Sequence, residues 1–136
     1  MSDDLIRDIL KRTRRIALVG ASANPARPSH GVMRFLLSKG YEVVPVNPGL
    51  AGQTLLGQKV VARLSDIEGE VDMIDVFRAS EHVPAVVDEA LAHFENPGAI
   101  WMQLGVVHEG AAETARARGV DVVMDRCPAI EYPRLM

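Results

Sequence analysis

The chain has 136 residues, of which 48% are hydrophobic and 24% charged, with a net charge of −3 at pH 7. This length predicts one domain over residues 1–136, with a helix in residues 1–14 packed on it. The charge balance argues against nucleic acid as a partner, and no apolar run is long enough to cross a bilayer. Its only cysteine, Cys127, excludes an internal disulfide, so we expect a cytoplasmic location.

Short apolar runs alternate with amphipathic segments along the chain. Ser2 is placed to cap a first helix. Strands are predicted at 16–20, 41–46, 71–77, 99–105 and 120–124, with a further short strand near 60–62 and a single helical turn after Ser65. The remaining helices are predicted to end at Gly40, to begin at a Ser80 cap, and to end at Gly119.

This alternation predicts an α/β fold with a mostly parallel sheet of five to six strands and helices on both faces, in three layers. In such doubly wound sheets, ligands bind beyond the carboxyl ends of the strands, where the strand order reverses. The loops that follow the strands are therefore the candidate site. We predict no metal site, because His82 and His93 are too far apart on one helix to share an ion.

The loop after the first predicted strand has the chemistry of an anion site. Gly20 permits a tight turn, after which backbone amides can point at a ligand beside the helix start. Ser22 and Ser29 add hydroxyl donors, and Arg27 adds a guanidinium suited to phosphate. The alternative is a plain helix entry in which Ser29 is only a cap and Arg27 only a surface charge.

Two known nucleotide motifs do not fit. The G-x-G-x-x-G pattern of dinucleotide-binding folds is absent after Gly20, and the second strand ends at Asn47 without the usual ribose-binding carboxylate. NAD is therefore the second choice of ligand. A P-loop is excluded because Gln58 occupies the position of its lysine.

The other strand ends carry further candidates. Phe77 and Arg78 follow a predicted strand, where both can line a ligand crevice. The alternative is that Phe77 is a core residue and that Arg78 caps its own helix or pairs with Glu81. Trp101 is interpreted as packing, whereas Gln103 offers a neutral donor and acceptor. Cys127 is interpreted as a small buried residue, with a nucleophile as the alternative.

In their order and spacing, these loops resemble the small stand-alone CoA-binding proteins, which are related to the N-terminal domain of the succinyl-CoA synthetase alpha subunit. The resemblance runs from about Ile16 to Glu131. It is carried by Val19-Gly20-Ala21-Ser22, Arg27-Pro28-Ser29, Gly40-Tyr41, Val44-Pro45-Val46-Asn47-Pro48, Val71-Asp72, Asp75-Val76-Phe77-Arg78, Trp101-Met102-Gln103-Leu104-Gly105 and Asp125-Arg126-Cys127.

The resemblance implies a Rossmann-like domain that binds coenzyme A, and it assigns a role to each strand end. The expected phosphate contacts are Gly20, Ala21, Ser22, Arg27 and Ser29, and the expected border of the adenosine is Val46, Asn47 and Pro48. The expected cleft lining is Val76, Phe77 and Arg78, and Trp101, Met102 and Gln103 are expected toward the pantetheine arm.

The sequence also differs from the family pattern at some positions. Gly49 stands where many relatives have Lys or Arg, which leaves Lys59 or Arg78 to supply that phosphate contact. The synthetases perform ligation with a second domain and a phosphorylated histidine, so the expectation here is binding of CoA or acyl-CoA without catalysis. The alternatives are a NAD-responsive module or small oxidoreductase, and a thioester-processing enzyme that uses Cys127. Nothing in the sequence indicates a protein partner or an oligomeric state.

Overall fold

The computed structural model describes residues 2–136. Its α-helices are α1 (Asp3–Arg12), α2 (Pro28–Ser38), α3 (Val83–His93), α4 (Glu109–Ala117) and α5 (Pro128–Leu135). Its strands are β1 (Arg15–Val19), β2 (Glu42–Val46), β3 (Thr54–Leu55), β4 (Gln58–Lys59), β5 (Met73–Val76), β6 (Ala99–Met102) and β7 (Asp121–Val123). Within these residues, no helix is long and apolar enough to cross a membrane.

The main sheet of the described chain has five parallel strands in the order β2-β1-β5-β6-β7. The chain passes from β1 to β2 on one side and later returns to β5 on the other, so the strand order reverses between β1 and β5. Val19 of β1 pairs with both Val46 and Val76, which brings three strand ends together. The predicted doubly wound, Rossmann-like fold is confirmed, and the crevice predicted by its topology lies at these ends.

Both faces of the sheet are covered by helices. Ala17 and Val19 pack into the hydrophobic cluster that includes residues of α3 and α4. Ile16 and Leu18 point to the opposite face, into the cluster that includes residues of α1 and α2. Alternate residues of β1 are thus apolar in both directions, which explains why the strand reads as a continuous apolar run.

The helix boundaries confirm two kinds of predicted end signal. The hydroxyl of Ser2 accepts a hydrogen bond from the amide of Leu5 at 3.1 Å, as expected of an N-cap. Gly40 and Gly119 follow α2 and α4 with φ values of 90° and 78°, the left-handed conformation that ends helices at glycine.

Three local predictions are wrong. Ser80 does not cap the next helix: it begins a 3₁₀ turn before α3, and its hydroxyl accepts from the amide of Val107 at 3.0 Å. The strand predicted near 60–62 is a single bridge between Val61 and Val46, and the hairpin of β3 and β4 precedes it. The predicted helical turn is a 3₁₀ turn at Leu64–Asp66, which includes Ser65 instead of following it.

Candidate functional site

Two adjoining cavities open at the carboxyl ends of the central strands. One, of about 680 Å³, is called the β2-side cavity, and the other, of about 580 Å³, the β6-side cavity. Gly20, Asn47 and Arg78 line both. Each volume is typical of a small-molecule pocket, and together they form one elongated crevice where the strand order reverses.

The walls of the two cavities come from different elements. The β2-side cavity is lined by Val19, Gly20, Val46, Asn47, Pro48, Ala62, Arg63, Leu64, Arg78, His82, Ala85, Val86 and Glu89. The β6-side cavity is lined by Gly20, Ala21, Ser22, Arg27, Pro28, Ser29, Val32, Asn47, Phe77, Arg78, Gln103, Leu104, Val106 and Cys127.

Gly20 holds three strand ends together at the floor of the crevice. Its φ is 91°, and its amide donates to the carbonyl oxygen of Val46 at 3.0 Å. The amide of Phe77 donates to the carbonyl oxygen of Val19 at 2.8 Å. A Cβ atom at position 20 would overlap the carbonyl oxygen of Phe77, so the close approach of these loops requires glycine.

The loop between β1 and α2 is shaped by its own side chains. The hydroxyl of Ser22 accepts from the amide of Asn24 at 3.0 Å, and Oδ1 of Asn24 accepts from the amide of Ala26 at 3.0 Å. After these short turns, Arg27 occupies the N-cap position of α2, but its side chain makes no capping hydrogen bond to the helix. Ser29 is a buried residue of the first turn, so the interpretation of Ser29 as the cap is wrong. An uncapped helix start without acidic residues favours an anion.

Asn47 joins the two loops that meet at the crevice. Its Nδ2 donates to the carbonyl oxygen of Ala21 at 2.7 Å, and its Oδ1 accepts from the amide of Gly49 at 2.8 Å. The side chain therefore fixes the positions of the loops after β1 and β2. This use of the amide explains structurally why the end of β2 carries asparagine where NAD-binding folds carry a ribose-binding carboxylate.

The crevice is positively charged. Arg27 and Arg78 line the β6-side cavity, and the described residues on its wall include no carboxylate and no histidine. The β2-side cavity adds Arg63 and His82 beside one carboxylate, Glu89. The Glu89 carboxylate is engaged with the amide of Leu64 and the hydroxyl of Ser65, each at 3.3 Å. A ligand with several negative charges fits this wall.

Arg63 and His82 line the β2-side cavity but are not among the residues predicted from the sequence. Arg63 follows the bridge between Val61 and Val46, which places it beside the end of β2. His82 closes the 3₁₀ turn before α3. In the sequence, only its positive charge could have indicated that Arg63 lines the crevice. A single charge in a segment without clear periodicity is a weak indication.

The far end of the β6-side cavity differs chemically from the phosphate loop. Gln103 is 5% exposed, and its Oε1 is buried with no hydrogen-bond partner in the described part of the chain. Leu104 is 56% exposed at the rim, and Val106 and Cys127 complete this end of the wall. This end is lined by apolar side chains, one side-chain amide and one cysteine.

Three of the predicted site residues lie behind the wall of the crevice. Val76, Trp101 and Met102 are fully buried within β5 and β6, and they line neither cavity. The indole Nε1 of Trp101 donates to the carbonyl oxygen of Arg126 at 2.9 Å, which agrees with its interpretation as a packing residue. All other predicted site residues line one cavity or both, whereas at β5 and β6 the wall begins only at the first residue after the strand.

The comparisons with known proteins agree on one family. A sequence profile described as the CoA binding domain matches residues 14–133. An uncharacterized protein of Bacillus subtilis (strain 168), YneT, is 41% identical over 127 residues, covering 93% of this chain and 91% of that protein. A solved structure named cell-free ID.343 from Thermus thermophilus superposes with a TM-score of 0.93 at 39% identity, covering 100% of both chains.

A similarity to a larger protein covers only part of it. The alpha subunit of an ADP-forming acetate–CoA ligase I from Pyrococcus furiosus is 31% identical over 86 residues. That match spans 60% of this chain and 19% of the ligase subunit.

Proposed function

The chain belongs to the CoA-binding domain family, and on this basis we propose that it binds coenzyme A or acyl-CoA in the crevice at the ends of β1 and β5. The observation that carries the proposal is the shape and charge of this crevice. Two pockets of nearly equal volume meet at Gly20, Asn47 and Arg78, and each pocket adds one more arginine, Arg63 in the β2-side cavity and Arg27 in the β6-side cavity. CoA has the matching form, with a nucleotide at one end, phosphates in the middle and a long arm at the other.

In the proposed orientation, the adenosine lies in the β2-side cavity and the pantetheine arm in the β6-side cavity. Val46 and Pro48 border the adenosine, and Arg63 and His82 face its 3′-phosphate. The diphosphate lies at the start of α2, near Arg27 and Arg78. Phe77 and Gln103 then contact the arm. This assignment extends the predicted contacts by the two residues that the sequence reasoning missed.

The proposed role is binding without catalysis, as in a carrier, a sensor or an accessory subunit. General acid or base catalysis on a thioester needs a titratable side chain within hydrogen-bond reach of the reacting group. The described wall of the β6-side cavity offers arginines, hydroxyls, the two amides of Asn47 and Gln103 and one thiol, but no histidine or carboxylate. This composition supports binding more than ligation or hydrolysis.

Isothermal titration calorimetry with CoA, acetyl-CoA, ATP and NAD tests the proposal. We expect CoA and acetyl-CoA to bind about tenfold or more tightly than ATP and NAD, because ATP has no arm for the β6-side cavity and NAD has neither the 3′-phosphate nor the pantetheine arm. Equal affinity for CoA and ATP would contradict the assignment of the β6-side cavity to the pantetheine arm. A preference for NAD would favour the oxidoreductase alternative.

Replacement of Arg27 with alanine is expected to weaken CoA binding by more than about 1 kcal/mol, or about fivefold or more, through loss of a charge-assisted hydrogen bond to phosphate. Arg34→Ala is the matched control, because Arg34 is an exposed residue of the same helix that lines neither cavity. Calorimetry of both variants at one salt concentration measures the difference. Equal effects of the two substitutions would show that Arg27 contributes only general charge.

A further inference from the structure

Cys127 and Gln103 lie on the same cavity wall as the phosphate loop. The β6-side cavity extends from Arg27 and Ser29 at the start of α2 to Cys127 at the start of α5. If the proposed function holds, the arm that enters this cavity ends in a thiol or thioester. The protein thiol therefore lines the pocket into which the ligand sulfur is directed.

Gln103 is an independent indication that a ligand occupies this end. Both backbone polar groups of Gln103 are hydrogen-bonded. Its backbone N–H donates to the carbonyl oxygen of Val76 at 3.3 Å, and its backbone carbonyl oxygen accepts from the N–H of Val106 at 2.8 Å. Its side-chain Oε1 is nevertheless buried without a partner in the described part of the chain. A buried amide oxygen without a partner destabilises the protein, and a bound N–H donor would remove this penalty. The pantetheine arm carries two secondary amides that supply such a donor.

The surroundings of Cys127 restrict its partners. The residue is 7% exposed and forms no side-chain cap on α5, so its thiol is open chiefly to the cavity. A reagent must therefore enter the β6-side cavity to reach it. Reagents that bind the crevice have an advantage over those that only collide with the surface.

Thiol–disulfide exchange requires fewer catalytic groups around Cys127 than acyl transfer does. Transfer of an acyl group to Cys127 needs a base for the thiol and donors for the oxyanion. The described wall of this cavity has no histidine or carboxylate to act as that base. Exchange needs only a thiolate and access to a disulfide sulfur. The composition of the wall therefore favours exchange.

Resting on the proposed function, we propose that Cys127 is a site of reversible, covalent attachment of CoA by thiol–disulfide exchange, with Gln103 positioning the arm. In the forward step, Sγ of Cys127 attacks one sulfur of CoA disulfide, the symmetric disulfide of the same ligand. An S–S bond forms between Cys127 and one CoA, and the S–S bond of the reagent breaks. The second CoA leaves as a thiolate and takes up the proton that Cys127 lost. Excess free thiol reverses the step.

The test is intact-mass spectrometry of the full chain over time, with CoA disulfide and glutathione disulfide as separate reagents at equal concentration. We expect one CoA to be added, about tenfold or more faster than one glutathione, and to be removed by a reductant. Adenosine 3′,5′-bisphosphate, which has no thiol, should slow the CoA adduct and leave the glutathione adduct unchanged. Arg27→Ala should slow the CoA adduct more than the glutathione adduct, and Cys127→Ser should abolish both.

Calorimetry with reduced CoA separates failure of this inference from failure of the proposed function. If reduced CoA binds but CoA disulfide reacts no faster than glutathione disulfide, the exchange site is contradicted and the binding site stands. If reduced CoA does not bind and the two disulfides react equally, both proposals fall. A CoA adduct whose rate is unchanged by adenosine 3′,5′-bisphosphate would also contradict the exchange site.

Discussion

Replacing Gly20 with alanine is expected to lower the free energy of unfolding by about 2 kcal/mol more than the same replacement at Gly40, because of steric overlap in a packed interior. Both positions have a left-handed backbone, with φ values of 91° and 90°, so alanine strains both by about 1 kcal/mol. Only at Gly20 does the new Cβ also meet a neighbour, the carbonyl group of Phe77. At Gly40 no atom lies within 4 Å of it.

Denaturant unfolding of the two variants measures this difference. The backbone cost is common to both, so the difference reports the close approach of the loops after β1 and β5. Gly20→Ala is also expected to weaken CoA binding, since the displaced Phe77 and Gly20 both line the β6-side cavity. Equal free energies of unfolding for the two variants would show that the loops after β1 and β5 can move apart at no cost. The close contact between Gly20 and Phe77 would then not require glycine.

The second large effect concerns Asp75, a fully buried carboxyl in the middle of the sheet. It lies between Leu18 and Trp101 of the neighbouring strands, and neither oxygen has a partner among the described residues. Burial raises the pKa of Asp75 well above its ordinary value of 3.8. The folded protein therefore binds a proton that the unfolded chain releases at lower pH.

This shift makes the contribution of Asp75 to stability fall as the pH rises. The contribution is fully present below pH 3.8 and is lost at about 1.4 kcal/mol per pH unit until the pH reaches the raised pKa of the folded state. Asp75→Asn has the same shape and cannot ionise, so it should remove this slope. We expect the variant to gain stability relative to the natural chain as the pH rises from 4 to 7, which denaturant unfolding at several pH values measures.

A constant difference between the natural chain and Asp75→Asn across that pH range would contradict the assignment. It would mean that Asp75 keeps its ordinary pKa through a partner or water contact in the folded state. Asp72→Asn is a suitable comparison, because Asp72 accepts hydrogen bonds from the amides of Arg14 and Arg15, at 3.0 and 2.9 Å, near the start of β1. Because Asp75 is intact in that variant, Asp72→Asn should keep the slope that Asp75→Asn removes.

The order of strands and helices was predictable because each parallel strand is a short run that is apolar toward both faces. Ile16 to Val19 shows this directly, since alternate residues enter opposite clusters. The position of the crevice followed from topology alone, because doubly wound sheets bind ligands where the strand order reverses. Gly20 was predictable as well, since a glycine after the first strand marks a tight turn.

The elements that were not predicted depend on contacts between distant parts of the chain. Helix α5 is eight residues long with Pro133 inside it, so it has little intrinsic stability. Arg134 pairs with Asp3 of α1 at 2.8 Å and with Glu131 at 2.9 Å, and Tyr132 packs edge-on against Phe35. These contacts stabilise the helix, and local periodicity does not report them.

The same limit applies to the candidate site. Ser80 has the residue type of a helix cap, but the amide of Val107, far away in sequence, binds its hydroxyl instead. Arg63 reaches the crevice only because Val61 bridges to Val46. Trp101 and Met102 stand in a matching motif, yet the wall begins one residue later, at Gln103. Sequence motifs located the strand ends, and the three-dimensional packing decided which side chains face the crevice.

The most direct test of the account is a crystal structure of the protein grown with saturating CoA. We expect the diphosphate between Arg27 and Arg78 at the start of α2, the adenosine beside Val46 and Pro48, and a pantetheine amide hydrogen-bonded to Oε1 of Gln103. CoA bound elsewhere, or a crevice that stays empty at saturating CoA, would contradict the account.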